Sequence, residues 1–512
     1  MKKMLHLLLH RLVLVGLAIL LQLVLLVVVL VKFQNQFIYF YAVSVLISVL
    51  VVFYIINGRS NPAYKLAWAI PILLVPVFGG IFYLLFGGVR IGRYQLKKMM
   101  KVAENSKEYI PNARTLALEK LREEDIIGYS QSNYITNYAE SPLCNHTLSE
   151  YLPSGEVKFQ RLLEELQKAE HFIFLEYFII EEGKMWNSVL AILEQKVKEG
   201  VDVRVTYDDM GCIRTLPYQY HKVLEQKGIQ VAIFNPFVPL LSVRFNNRDH
   251  RKICVIDGYI GFTGGINLAD EYINAVEKHG HWKDTAIFLR GDAVWNLTVM
   301  FLSMWDYIKG IQEDYNLYGP DRFSALPPQG DGYVQPFADS PLDGECVGET
   351  VYLNMINKAQ KYIYITTPYL IIDNEMVTAL TVAAKNGVDV RIITPHIADK
   401  WYVHAVTRAY YTMLVESGVR IYEYTPGFIH AKTYVCDDRY AVVGTINMDY
   451  RSLYLHFECG AWLCGSSSVA QIRDDFLATQ EISGQVTVED CHNISWLRQV
   501  GRGILRVFAP LM

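Results

Sequence analysis

"HRKICVIDGYIGFTGGIN" (His250–Asn267) and "HAKTYVCDDRYAVVGTIN" (His430–Asn447) carry the same pattern twice: His-x-Lys, four residues, Asp, six residues, then Gly-x-x-Asn. Each copy fixes five residue types. At about 5% usage per type, a chance match costs roughly 3 × 10⁻⁷ per starting position. Two copies spaced 180 residues apart therefore mark an internal duplication.

The surrounding sequence repeats too. "AEHFIFLEYFII" (169–180) matches "AQKYIYITTPYLII" (359–372), "GVDVRVTYD" (200–208) matches "GVDVRIITP" (387–395), and "DTAIFLRG" at 284 echoes "ECGAWLCG" at 458. Apolar runs such as 172–177 and 203–207 alternate with helical stretches such as 186–198, a pattern of α/β halves with strands covered on both faces. The sequence divides into a membrane anchor (1–101), a connector (102–129), a first half (130–320), a second half (333–490) and a C-terminal tail (491–512). The Pro- and Gly-rich segment 321–332 links the halves.

Charge and hydropathy are strongly polarised. Residues 1–101 hold eleven Lys or Arg and no Asp or Glu, which leaves 37 basic against 52 acidic residues beyond them. A soluble part near −15 is a poor surface for nucleic acid. Leu12–Val31, Phe37–Ile56 and Leu66–Val89 are uncharged and long enough to cross about 30 Å of hydrocarbon. No small-x-small cleavage site closes the first, so it reads as a retained anchor. The chain is expected to cross two or three times, since Pro71 and Pro76 permit the third stretch to dip in and return. Arg90, Arg93, Lys97, Lys98 and Lys101 follow it and place the catalytic halves in the cytoplasm. The eight cysteines form no CxxC pair and read as reduced thiols.

Alternation assigns the chemistry to one face. If "HRKICVID" is extended, His250 and Lys252 point to one side while Ile253 and Val255 pack the other. The Gly264-Gly265 and Gly444-Thr445 turns allow close backbone approach and return Asn267 and Asn447 toward the same place. A His, a Lys and an Asn from each copy would then surround one tetrahedral anion. Asp257 and Asp437, which complete the motif, are expected to brace the strand ends.

This constellation resembles the phospholipase D superfamily, whose motif is HxKxxxxD followed by GGxN or GSxN; Thr445 departs from it. Within that superfamily the chain is similar to bacterial cardiolipin synthases over nearly its whole length. The similarity includes "NPAYKLAWAIPILLVPVFGGIFYLLFG" (61–87), "NNRDHRKI" (246–253), "TGGINLADEY" (263–272) and "INMDYRSL" (446–453). Cys212 stands where Ser is usual, and Asp249 where Asn is usual.

The resemblance implies a pseudo-twofold fold, one shared cleft and no metal or cofactor. One histidine would form a phosphohistidine and the other serve as acid and base, with His250 assigned as nucleophile and His430 as acid and base. The lysines and asparagines would stabilise the phosphorane. The family has an acidic partner for each histidine downstream, which Asp284 and Glu458 fit. The implied reaction moves a phosphatidyl group from one phosphatidylglycerol to another and releases glycerol. Phosphatidylethanolamine as acceptor, or water in a phosphodiesterase, are the alternatives. The apolar loop 234–245 reads either as an interfacial wedge or as core.

Overall fold

The computed structural model describes residues 37–58, 60–75, 93–110, 116–236, 247–319 and 330–511, with isolated positions elsewhere. Most of Leu12–Val31, of the linker 321–332 and of the loop 234–245 lies outside the described residues.

The first half contributes β1 (Thr147–Leu152), β2 (Phe172–Tyr177), β3 (Asp202–Asp208), β4 (Gln230–Phe234), β5 (Lys252–Ile256), β6 (Ile260–Gly264), β7 (His281–Lys283) and β8 (Ala286–Gly291). The second contributes β9 (Tyr333–Asp339), β10 (Tyr362–Thr366), β11 (Leu370–Ile371), β12 (Asp389–Pro395), β13 (Arg420–Tyr424), β14 (Gly427–Ile429), β15 (Thr433–Cys436), β16 (Tyr440–Gly444), β17 (Met448–Asp449), β18 (Glu458–Cys464) and β19 (Ser483–Gln485). The sheet orders are β1-β8-β6-β5-β2-β3-β4 and β9-β18-β16-β15-β10-β12-β13-β19. Strand for strand the second repeats the first, with β19 added at its edge. In each, three neighbouring strands run parallel, β2-β3-β4 and β10-β12-β13. The duplication in the sequence is a duplication of topology.

Each sheet buries both faces, as the near-continuous apolar runs require. In β5, Cys254 and Ile256 face the first half's own core, while Ile253 and Val255 face a core shared with Val435, Val443 and Leu463 of the second half. That shared core also takes in Leu297 and Phe301 of helix Val294–Lys309 and Ile472 and Phe476 of helix Ser467–Glu481. Full burial of one such side chain is worth about 1.5–3 kcal/mol. The halves are therefore welded face to face rather than hinged on a polar contact.

Residues 116–143, assigned by sequence to the connector and the start of the first half, instead join the second. Leu118, Leu121 and Ile135 enter that half's core, and Gln131 Oε1 accepts from the Trp462 indole at 2.9 Å. The helices Leu116–Glu124 and Ile126–Tyr138 have an apolar side that β9 and helix Val347–Lys358 can cover, and local periodicity does not say which half does so.

Among the described residues, no helix is long and apolar enough to cross a membrane. Helix Phe37–Asn57 is uncharged, with Leu46, Leu50 and Phe53 exposed. It packs on helix Pro62–Leu74, which Pro71 interrupts. Asn61 caps that helix and donates to Asp373 Oδ2 and Tyr454 Oη, both at 3.0 Å, pinning the amino-terminal segment to the second half.

Candidate active site

The two motif histidines stand just before their strands, not inside them. β5 starts at Lys252 and β15 at Thr433. Each histidine's extended segment leaves its own sheet and bonds to the opposite half. His250 N donates to Phe457 O at 2.9 Å, and His430 N donates to Lys283 O at 2.7 Å. The acceptors are the residues immediately before Glu458 and Asp284. Register alone thus delivers each carboxylate to the histidine of the other half. His250 Nδ1 lies 2.9 Å from both oxygens of Glu458, and His430 Nδ1 lies 2.6 Å from Asp284 Oδ2. Each of the two downstream acids thus lies beside the motif histidine of the opposite half, not of its own.

With Nδ1 engaged, Nε2 of each ring is left for the cavity that both histidines line, a space of about 880 Å³ between the halves. Asn267 and Asn447 line it too. Asn267 accepts from Ile179 N at 3.0 Å and donates to Tyr272 Oη at 2.7 Å. Asn447 donates to Ser452 Oγ at 3.0 Å, and its buried Oδ1 has no hydrogen-bond partner among the described residues. Lys252 and Lys432 sit behind the histidines rather than in the cavity wall. Lys252 Nζ donates to His250 O at 2.7 Å; Lys432 Nζ donates to His430 O and lies 2.8 Å from His430 Nδ1.

Asp257 and Asp437 act elsewhere. Asp257 accepts from the backbone N–H groups of Glu170, His171 and Phe172, each at 2.8 Å, and Asp437 from those of Gln360, Lys361 and Tyr362 at 2.7–3.0 Å. Both have positive φ, near 50°, where a side chain that closes a turn is tolerated.

The halves differ at the acids. A Cβ on Gly265 would come within 2.1 Å of Asp284 Oδ1, so only glycine fits there. Its counterpart Thr445 instead donates its hydroxyl to Glu458 Oε2. A second difference escaped the motif reading. Two residues before each acid stand Trp282 and His456, and each packs on the histidine its acid holds: Trp282 on His430 at 5.5 Å, His456 on His250 at 5.6 Å between ring centroids. Carrying the "DTAIFLRG"/"ECGAWLCG" alignment two residues upstream would have shown the pair. Among the described residues neither buried ring nitrogen of His456 has a hydrogen-bond partner, and Nδ1 lies 3.6 Å from Glu458 Oε1.

Burial sets the protonation states. It drives His250 well below the ordinary imidazole range, aided by Lys252 and His456, and holds His430 down to about 4. It also pushes Glu458 well above the carboxylate range, Lys252 down to about 8 and Lys432 down to about 7. Both shifts favour the neutral imidazole. His250, His456 and Glu458 bring ligand-type atoms within 4.8 Å of one another, a spacing a metal could accept. Burial and the charges of Arg451, Arg248, Lys252 and Lys400 depress His456 together, and such a field opposes a dication and favours an anion.

The lysine shifts give a pH prediction. An anionic phosphodiester needs charged lysines, which exist below their pKa values. Raising the pH through about 7 to 8 should therefore lower kcat/KM, the parameter that reports the free enzyme. Lys432→Arg, permanently charged, should remove most of that alkaline fall even with a lower maximum. A rate profile on the variant that kept the same alkaline limb would assign it to another group.

The chain matches known proteins along most of its length. The family described as "Cardiolipin synthase, PLD-like domain" matches residues 162–294 and 352–479, and a "Phospholipase D-nuclease N-terminal" family matches 46–88. An uncharacterized protein of Streptococcus mutans is 44% identical over 90% of this chain and 99% of its own. A cardiolipin synthase of Halalkalibacterium halodurans is 36% identical over 92% and 94%. The solved phosphatidylserine synthase of Haemophilus influenzae superposes with a TM-score of 0.56 at 16% identity, over 73% of this chain and 96% of that one, which shows a common fold. With the doubled motif and this breadth of similarity, the chain belongs to the cardiolipin synthase family of phospholipase D-like proteins.

Proposed function

We propose that the cleft is a phosphatidyltransferase site that joins two phosphatidylglycerol molecules into cardiolipin and glycerol. The observation that carries this is the pair of motif histidines lining one cavity, each backed by a carboxylate from the opposite half. In the first step His430 Nε2 takes up a proton as the donor's phosphate anion enters beside it; His250 Nε2 then bonds to the donor phosphorus, the bond from phosphorus to the headgroup glycerol oxygen breaks, and His430 Nε2 gives that oxygen its proton. In the second, His430 takes the proton of the acceptor's terminal hydroxyl, whose oxygen bonds to the same phosphorus as the N–P bond breaks. As the resemblance to two-motif phospholipase D relatives implies, His250 is the nucleophile and His430 the acid and base. Glu458 and Asp284 are positioning residues that orient each ring and stabilise its charged form. Lys252, Lys432, Asn267 and Asn447 offset the phosphorane charge.

An acceptor that is itself a phosphodiester brings a second anion. Arg248, Lys400, Arg451 and His456 line the same cavity and supply a subsite for that phosphate. Water and glycerol carry no phosphate and do not use it. Arg451→Gln should therefore lower the ratio of transfer to phosphatidylglycerol over transfer to glycerol by roughly tenfold, the effect of one charge-assisted hydrogen bond. An unchanged ratio removes the subsite.

The amino-terminal segment is read as a membrane anchor that crosses two or three times and leaves the halves on the cytoplasmic side. The uncharged stretches, the basic run after them and the outward apolar side chains of helix Phe37–Asn57 support this. Incubating purified protein with labelled phosphatidylglycerol and separating the lipids tests the reaction. Cardiolipin plus free glycerol supports transfer; phosphatidic acid alone indicates water as acceptor.

A further inference from the structure

Helix Trp496–Val507 reads WLRQVGRGILRV, with three arginines and no acidic residue. Its inner side rests on helix Trp401–Glu416: Leu505 packs against the second half's core, and the Arg506 guanidinium lies 4.5 Å from the Tyr410 ring centroid. No residue of the helix is buried. Trp496, Leu497, Val500 and Ile504 are 70%, 65%, 52% and 56% exposed, and with Val507 they recur at helical spacing along one stripe. A stripe of this kind on a folded surface marks an interaction site rather than random surface.

The stripe does not stand alone. Helix Pro62–Leu74 lies beside it, and Leu66, Ile70, Arg506 and Val507 line a common groove. Leu66, Leu73 and Leu74 of that helix are also largely exposed. Just beyond the same end of the helix, Ala509 and Leu511 line the catalytic cavity. The amino-terminal segment, the end of the C-terminal helix and the cleft thus adjoin one another. Arg498 and Arg506 lie toward the edges of the stripe, while Arg502 turns to the inner side, where it lines a groove with Arg408, Glu423 and Asp490. The partner this combination fits is an anionic lipid surface, which takes apolar side chains below the headgroups and arginines among them.

We propose that Trp496–Val507 is an interfacial helix that lies in the headgroup layer of an anionic bilayer and sets the cleft mouth at the lipid surface. The proposal does not depend on which phosphoryl transfer the cleft performs, because its test involves no turnover. The full chain is reconstituted into phosphatidylcholine vesicles with and without phosphatidylglycerol, and tryptophan emission is quenched with lipids brominated near the headgroup. Trp496→Phe, which leaves the other seven tryptophans in place, should remove a distinct part of the quenched emission, and that part should be larger with phosphatidylglycerol present. Replacing Arg498 and Arg506 with Gln should abolish the phosphatidylglycerol dependence. Hydrogen exchange across 496–507 gives a second readout, with slower exchange expected on anionic vesicles. If the Trp496 contribution is untouched by brominated lipid, or is equally shielded from an aqueous quencher in lipid-free detergent, water or a protein partner covers the stripe and the proposal fails.

Discussion

His250→Asn is expected to abolish turnover, with a loss of at least about 10³-fold, because without that imidazole no N–P bond forms with any donor. His430→Asn should fail differently. Its loss should be severe with glycerol as leaving group and much smaller with an activated aryl phosphodiester, whose aryloxide departs with little protonation. The second step still needs a base, so this variant should accumulate a phosphoenzyme, acid-labile and base-stable, that resolves slowly. Quench experiments with labelled aryl substrate distinguish the two. Label on His430 in the His250→Asn chain would reverse the roles.

The exchanged carboxylates set up the second expectation. Asp284→Asn and Glu458→Gln should each lower kcat by about 10²–10⁴-fold while changing KM little, as when a triad loses the group that holds its imidazole. The discriminating result is the pattern of coupling. Asp284→Asn should add almost nothing to His430→Asn, and Glu458→Gln almost nothing to His250→Asn, since each pair acts as a unit at 2.6–2.9 Å. The pairings within one half, His250 with Asp284 and His430 with Glu458, should show the weaker coupling. With an aryl substrate the asymmetry sharpens: Asp284→Asn, which weakens the acid, should be partly rescued, whereas Glu458→Gln, which weakens the nucleophile's partner, should not. Equal coupling in all four combinations would mean that the carboxylates act through the overall charge of the cleft.

The crossing itself follows from two backbone hydrogen bonds. His250 N to Phe457 O and His430 N to Lys283 O fix a register in which the next residue is the acid. Neither half can complete its own histidine, so the welded apolar core between the sheets is also what assembles the chemistry. A substitution deep in that core, Val435 or Ile253 for example, would act on the cleft by shifting one half's acid relative to the other half's ring.

The doubled motif, the α/β class and the histidines and asparagines that line the cleft were readable along the chain, because period-two alternation and exact recurrence are properties of neighbouring residues. His250, His430, Asn267 and Asn447 do line one cavity. What depended on the folded molecule involves residues remote in sequence. Which half each carboxylate serves is set by pairing between residues 208 and 146 positions apart, and no local pattern encodes it. The lysines' withdrawal behind the rings arises from their short reach back to the histidine carbonyls. His456 carries no motif letter, and its place beside His250 appears only once β18 is seated against the opposite half. The helices of 116–138 present an apolar side that either half could cover, and packing assigns them to the second. The depressed basicity of both imidazoles, finally, is a consequence of burial, which no linear reading of charge can supply.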